Sequence, residues 1–171
     1  MEEFKLGQHE TLYQVSEPWD FDSDGDAKDL EKKMCEFMMD NKGIGLAANQ
    51  IGLLKRVFVM GSTTIPGFPK PFAVFNPEIT NYSNNNVLDE EGCLSFPGLY
   101  FKVSRPEWIE AKFQDREGNI HEVKMDGYVS KCFQHELDHL DGICYTDRVS
   151  KLKLDLAIKK MRKNKKYART K

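Results

Sequence analysis

Residues 135–139 read His-Glu-Leu-Asp-His, and this H-E-x-x-H spacing constrains the chain more tightly than any other stretch. Four residues of α-helix rise about 6 Å, so His135 and His139 leave from nearly the same face and can share one cation between their rings. Glu136 then stands beside a ligand, as the pattern requires. Two ligands are not enough for a hydrolytic centre, which needs a third protein donor and an open position for water. The longer pattern H-E-x-x-H-x-x-G-x-x-H draws that donor from the same segment. Here Gly142 falls on the glycine, but Tyr145 takes the place of the last histidine. The third donor must come from elsewhere in the fold.

The rest of the chain predicts an α+β fold, with mixed or antiparallel strands packed around the H-E-x-x-H helix and a helix at each end. Leu30, Met34, Phe37 and Met38 recur at helical spacing in "DAKDLEKKMCEFMMDNKG", with Asp26 as N-cap and Gly43 beyond the end. "KRVFVMG" and "FAVFNPEIT" read as short strands. "WIEAKFQ" alternates Ile109, Ala111 and Phe113 against polar neighbours, and "IHEVKM" returns as the second arm of a hairpin after the turn "DREGN". The H-E-x-x-H helix starts near Asp126 and stops toward Gly142. A last helix follows Ser150, with Leu154, Ile158 and Met161 facing inward. At 171 residues, with 40% hydrophobic and 30% charged residues and no low-complexity block, residues 1–171 suit one domain. Two segments do not read as packing. "GIGLAANQIG" crowds small residues as if backbone must approach a ligand, and "LDEEGCLSFPG" wraps a cysteine in acids, glycine and a Pro-Gly turn.

Cys93, Cys132, Cys144, His121, His9 and a carboxylate are the residues that can complete the site. A downstream glutamate is excluded, because Glu136 is the last one in the chain. Cys132 lies about 7.5 Å along the axis from a metal centred near residue 137, too far for a short side chain to make a bond of about 2.3 Å. It reads as a small core residue. Cys144 would have to fold back past the Gly142 stop. Cys93 lies on a separate element that can face the helix, and its neighbour Gly92 removes bulk near the metal. The sequence favours Cys93, although spacing alone leaves the choice open. With no C-x-x-C pair among the four cysteines, a disulfide framework is not expected.

Three segments, "GIGLAANQ" (43–50), "EGCLS" (91–95) and "QHELDHLDG" (134–142), resemble in order the three signature motifs of the peptide deformylases. Asn49 departs from the threonine common in that family. The resemblance implies hydrolysis of the N-formyl group from the initiator methionine of nascent polypeptides, releasing formate. It implies that Cys93, His135 and His139 bind one divalent metal, with Fe2+ as the native ion and Zn2+, Ni2+ or Co2+ able to replace it. Ligand chemistry alone suits zinc. Glu136 is then the general base, while Gln50 and the backbone N–H of Leu94 stabilise the developing oxyanion. Gly45 resembles the family's backbone contact to the peptide. Ile44, Tyr128 and Cys132 are candidates to line the methionine pocket, with the His135 ring as its floor. Arg105 matches a common arginine of the family and reads as structural.

Net charge is −2, but residues 151–171 carry +9, which leaves −11 for the rest. "KKMRKNKKYARTK" is expected to be a solvated terminus or a contact to ribosomal RNA. No apolar run is long enough for a membrane helix, and "MEEFKLGQHE" lacks the layout of a signal peptide, so a cytoplasmic monomer with no membrane contact is expected. Two rival readings use the same motif. One is an H-E-x-x-H metallopeptidase, which the missing third histidine and glutamate oppose. The other is a non-enzymatic, metal-stapled RNA-binding domain, whose structural site would need four protein ligands and no Glu136.

Overall fold

Asp26 caps the first helix as its chemistry predicts, its carboxylate accepting from the amides of Lys28 and Asp29. The computed structural model of the chain describes residues 4, 6 and 10–168, with backbone alone for 162–168. Helix α1 (Ala27–Asp40) is followed by seven strands: β1 (Gly45–Ala47), β2 (Val57–Met60), β3 (Phe72–Tyr82), β4 (Asn86–Gly92), β5 (Tyr100–Pro106), β6 (Trp108–Gln114) and β7 (Ile120–Asp126). Helices α2 (Gly127–Leu140) and α3 (Lys151–Ala168) complete the chain. This is the α+β arrangement anticipated above.

Strands β1-β2-β3-β6-β7 form one antiparallel five-stranded sheet in that order. Alternation of side chains along β2 and β3 divides the core into two layers. Val57, Val59, Ala73 and Phe75 face α1 through Met34, Cys35 and Met38. Phe58, Met60 and Val74, joined by Ile109, Ala111 and Phe113 of β6, face α2 through Cys132, Phe133 and Leu140. The two helices therefore cover opposite faces of the sheet. The β6–β7 hairpin pairs from Trp108↔Asp126 to Gln114↔Ile120 around the predicted turn.

The hairpin of β4 and β5 is a separate two-stranded sheet, paired from Asn86↔Pro106 to Gly92↔Tyr100. It is absent from the pattern read above because β4 is acid-rich and carries no apolar alternation. Its partner strand buries Phe101, Val103 and Arg105 on one side. Leu154, Ile158 and Met161 of α3 pack with Phe101, Val103 and Tyr145 on this small sheet, as their spacing predicts. Cys93 lies one residue past β4, in the turn that follows, rather than on a strand. Gly92 also needs a different explanation. A Cβ there would come within 2.5 Å of the Tyr100 ring, so this glycine makes room for the aromatic across the hairpin, not for a metal. Among the described residues no helix is long and apolar enough to cross a membrane.

Candidate active site

Helix α2 runs with one face on the five-stranded sheet and the other toward the β4–β5 hairpin. His135 and His139 point into the space between the two sheets, and the turn after β4 brings Cys93 to meet them. One ligand atom from each of these three residues lies within 4.8 Å of the others. Cys93 Sγ is 3.3 Å from His139 Nε2, and the two imidazole rings stand edge to face at 4.9 Å. His139 is 0% exposed. Its burial, with His135 and Arg105 nearby, holds its pKa well below the ordinary value and keeps the ring neutral, as a ligand must be. His135 behaves oppositely. Burial alone would lower it, but hydrogen bonds to Cys93 and Glu91 outweigh that and raise it to about 10.

The other sequence candidates are not in this group. Cys132 is buried and its thiol donates to Ile44 O at 3.4 Å. Cys144 is buried, and its thiol is pushed up to about 12 by burial and by Asp147 and Cys93. His121 lies on β7, paired with Asp115 at 2.8 Å. His9 lies outside the described residues. Tyr145, which stands where a third histidine would be, is buried and donates its hydroxyl to Leu99 O at 2.9 Å.

Glu91 and Arg105 were passed over as functional groups in the sequence. His135 Nδ1 sits 2.9 Å from Glu91 Oε2, which leaves Nε2 as the nitrogen free to act as a ligand. Arg105, 2% exposed, grips Glu91 side-on, with Nε to Oε1 at 2.5 Å and Nη2 to Oε2 at 2.9 Å. Burial would raise the Glu91 carboxyl, but these bonds from His135 and Arg105 bring it down to about 2. The only signal for Glu91 in the sequence is its place two residues before Cys93. Nothing local connects it to Arg105 or to α2.

Glu136 is buried on the same helix, and its Oε2 has no hydrogen-bond partner. Burial pushes its pKa up to about 7, partly offset by His135 and Arg105. Its Oε1 packs so close to Gly45 that a Cβ at that glycine would lie 2.2 Å away. Gln50 is buried in the short helical turn Ala48–Ile51. Its Oε1 accepts from Ala47 N at 2.8 Å, which directs Nε2 to Ser95 Oγ at 3.0 Å and Cys93 Sγ at 3.3 Å. Asn49, the departure noted above, is buried and its amide donates to His139 O. Cys93, His135, Glu136, Gln50 and Glu91 open onto a cavity of about 860 Å³ that is also lined by Ile44, Gly45, Leu94, Cys132 and Tyr128, while His139 lies fully buried behind them. Tyr128 is 62% exposed and forms part of the rim.

The chain matches the family model for polypeptide deformylase over residues 1–155. It is 43% identical over 148 residues to the peptide deformylase of Wolbachia pipientis wMel, covering 82% of this chain and 83% of that protein. It is 41% identical over 152 residues to that of Rhizobium meliloti (strain 1021), covering 89% and 87% respectively. Among solved structures, a peptide deformylase from Legionella pneumophila superposes with a TM-score of 0.84 at 34% identity, over 98% of each chain. One from Ehrlichia chaffeensis, in complex with actinonin, also gives 0.84, at 35% identity over 96% of this chain and 98% of that one. Sequence, fold and the grouping of a thiol with two imidazoles agree, and the chain belongs to the polypeptide deformylase family.

Proposed function

We propose that this chain is a metal-dependent hydrolase that removes the N-formyl group from the initiator methionine of nascent polypeptides and releases formate. One observation carries the reading: Cys93, His135 and the buried His139 converge where Cys93 and His135 line a substrate-sized cavity, beside a buried carboxylate with an unpartnered oxygen. A thiolate and two imidazoles are a donor set for a divalent transition metal, and three protein donors suit a catalytic rather than a closed site. Such an ion, held by Cys93, His135 and His139, supplies Lewis acidity and lowers the pKa of water toward about 7.

The chain's own groups do the rest. Glu136, poised near neutrality by burial, takes the proton from the attacking water and passes it to the departing amine. The Nε2 of Gln50 and the N–H of Leu94, both on the cavity wall, donate to the oxygen on which charge builds; losing one such donor typically costs about 3–4 kcal/mol of barrier. Gly45, the first residue of the edge strand β1 and part of the cavity wall, offers backbone to an extended peptide. Ile44, Cys132 and the rim residue Tyr128 supply apolar surface for the methionine side chain. Glu136→Ala is expected to retain its metal and lose formate release from formyl-Met-Ala by at least about 100-fold. Normal turnover by that variant would contradict the assignment of the base.

Donor chemistry alone suits Zn2+, whereas the family likeness supports Fe2+ as the native ion. Metal analysis after anaerobic purification separates the two. All donors and the cavity come from one chain, which supports action as a monomer, and the substrate locates the work where ribosomes release formylated chains, in the cytoplasm. The family match stops at residue 155, and the basic run 159–171 continues past it. Its charge supports contact with ribosomal RNA, a contact that salt should weaken steeply. Truncation after Ile158 is expected to weaken ribosome binding while leaving turnover of a short formyl peptide intact. Equal ribosome affinity would remove this part of the reading.

A further inference from the structure

Behind the histidines runs a line of alternating charge that ends at the surface. From Glu91 the Arg105 guanidinium extends a third N–H, Nη1, to Asp138 Oδ2 at 2.8 Å. Asp138 lies on α2, between the two histidines in sequence. It is held from its far side by Arg148, with Nε to Oδ2 at 2.7 Å and Nη2 to Oδ1 at 2.5 Å. Two carboxylates and two guanidiniums thus alternate from His135 Nδ1 outward. The first three members are nearly buried, and the Arg148 side chain is 39% exposed. Arg148 closes the short helical turn Tyr145–Arg148, just before α3.

Resting on the reading of Cys93, His135 and His139 as the metal site, we propose that Arg148 is a positioning residue for the reaction, setting the orientation of His135 through Asp138, Arg105 and Glu91. The physical reason is charge balance. Arg105 alone faces two buried carboxylates and has a single positive charge to share. A fork on Glu91 uses its Nε and Nη2, and only Nη1 is left for Asp138. Arg148 neutralises Asp138 with a fork of its own, so Arg105 stays locked on Glu91. Glu91 in turn fixes the His135 tautomer and ring plane, and such outer partners typically change metal affinity by about 10- to 100-fold when removed. Without Arg148, a partly desolvated Asp138 competes for Arg105, because a buried charge left half-compensated is costly. The Glu91–His135 bond then loosens, although Arg148 touches neither metal nor substrate.

The test uses the metal-loaded protein and the variants Arg148→Ala, Arg148→Lys and Asp138→Asn. Affinity is read by chelator competition with Zn2+, the His135 Nδ1 proton by its downfield NMR signal, and kcat and KM on formyl-Met-Ala. Arg148→Ala is expected to lose metal about tenfold or more readily, to broaden or shift the Nδ1 proton signal, and to lower kcat with KM unchanged. Added guanidinium ion should restore part of each, since the site of the missing side chain reaches solvent. Arg148→Lys, which keeps charge without the fork, should fall between. In Arg148→Ala/Asp138→Asn the carboxylate that competes for Arg105 is gone, so affinity should recover relative to Arg148→Ala. A variant with lowered thermal stability but wild-type metal affinity and an unmoved Nδ1 proton would make Arg148 a mere anchor of its turn and overturn the proposal. Failure of the wild-type chain itself to hold Zn2+ would instead overturn the metal-site reading.

Discussion

Gly45 is the residue at which the smallest addition should have the largest effect. A methyl group there would lie 2.2 Å from Glu136 Oε1 and 2.9 Å from Cys132 Sγ, so the Glu136 carboxylate would have to shift. Gly45→Ala is therefore expected to keep its metal while kcat falls by about 100-fold or more, because the displaced carboxylate is the proposed base. Metal content and kcat measured together check this; an unchanged kcat would show that Glu136 tolerates displacement. His135 gives a second prediction at this scale. Without metal its ring is protonated at neutral pH, since its pKa is raised to about 10, whereas a ligand must be neutral. Loading the metal at pH 7 should release at least one proton, and affinity should rise with pH across the neutral range. Calorimetry in buffers of different ionisation heat reads that proton directly, and no release would contradict it. The proposed helical ligands were legible in the sequence because helical spacing sets His135 and His139 on one face. Cys93 was legible only as a preference, because its approach depends on a hairpin that spacing does not reveal.

The element that decides the site's geometry is the β4–β5 hairpin, pinned to α2 by ions rather than by an apolar seam. Arg105 lies nearly buried between Glu91 and Asp138. Removing one partner of such a group typically costs about 3–5 kcal/mol, so Arg105→Ala should lower stability in urea by that order, and a loss below about 1 kcal/mol would show the pin to be idle. The same pin should make the fold acid-sensitive. Glu91 is held to about 2 from an ordinary 4.5, so its contribution is full above pH 4.5 and is lost as pH falls from there through about 2. Thermal unfolding across that window should be shallower for Glu91→Gln than for wild type. Helices α1, α2 and α3 and strand β6 were readable because one face of each is apolar at the proper period, and β7 because the turn at 115–119 returns the chain beside β6. The β4–β5 hairpin was not. Its partners Glu91, Arg105 and Asp138 are 14 and 33 residues apart, and nothing in the local sequence links them.

At the scale of the molecule, a five-stranded sheet packed between α1 and α2 forms the main body, and the small sheet with α3 lies on the histidine side of α2. The candidate metal site lies at that seam, with Cys93 from one side and the two histidines from the other. A cation shared across it should tie the halves together. Ligands that bind only the folded state stabilise by about 2.7 kcal/mol at one hundred times Kd, so stripping the metal should lower the midpoint of thermal unfolding, and reloading should restore it. The most direct test joins metal content to turnover. Protein purified without oxygen is assayed for bound metal and for formate released from formyl-Met-Ala, beside Cys93→Ala handled identically. One cation per chain with formate release in the wild type, and loss of both in the variant, is the expected result. Formate release at the wild-type rate from Cys93→Ala, or from metal-stripped protein, would contradict it.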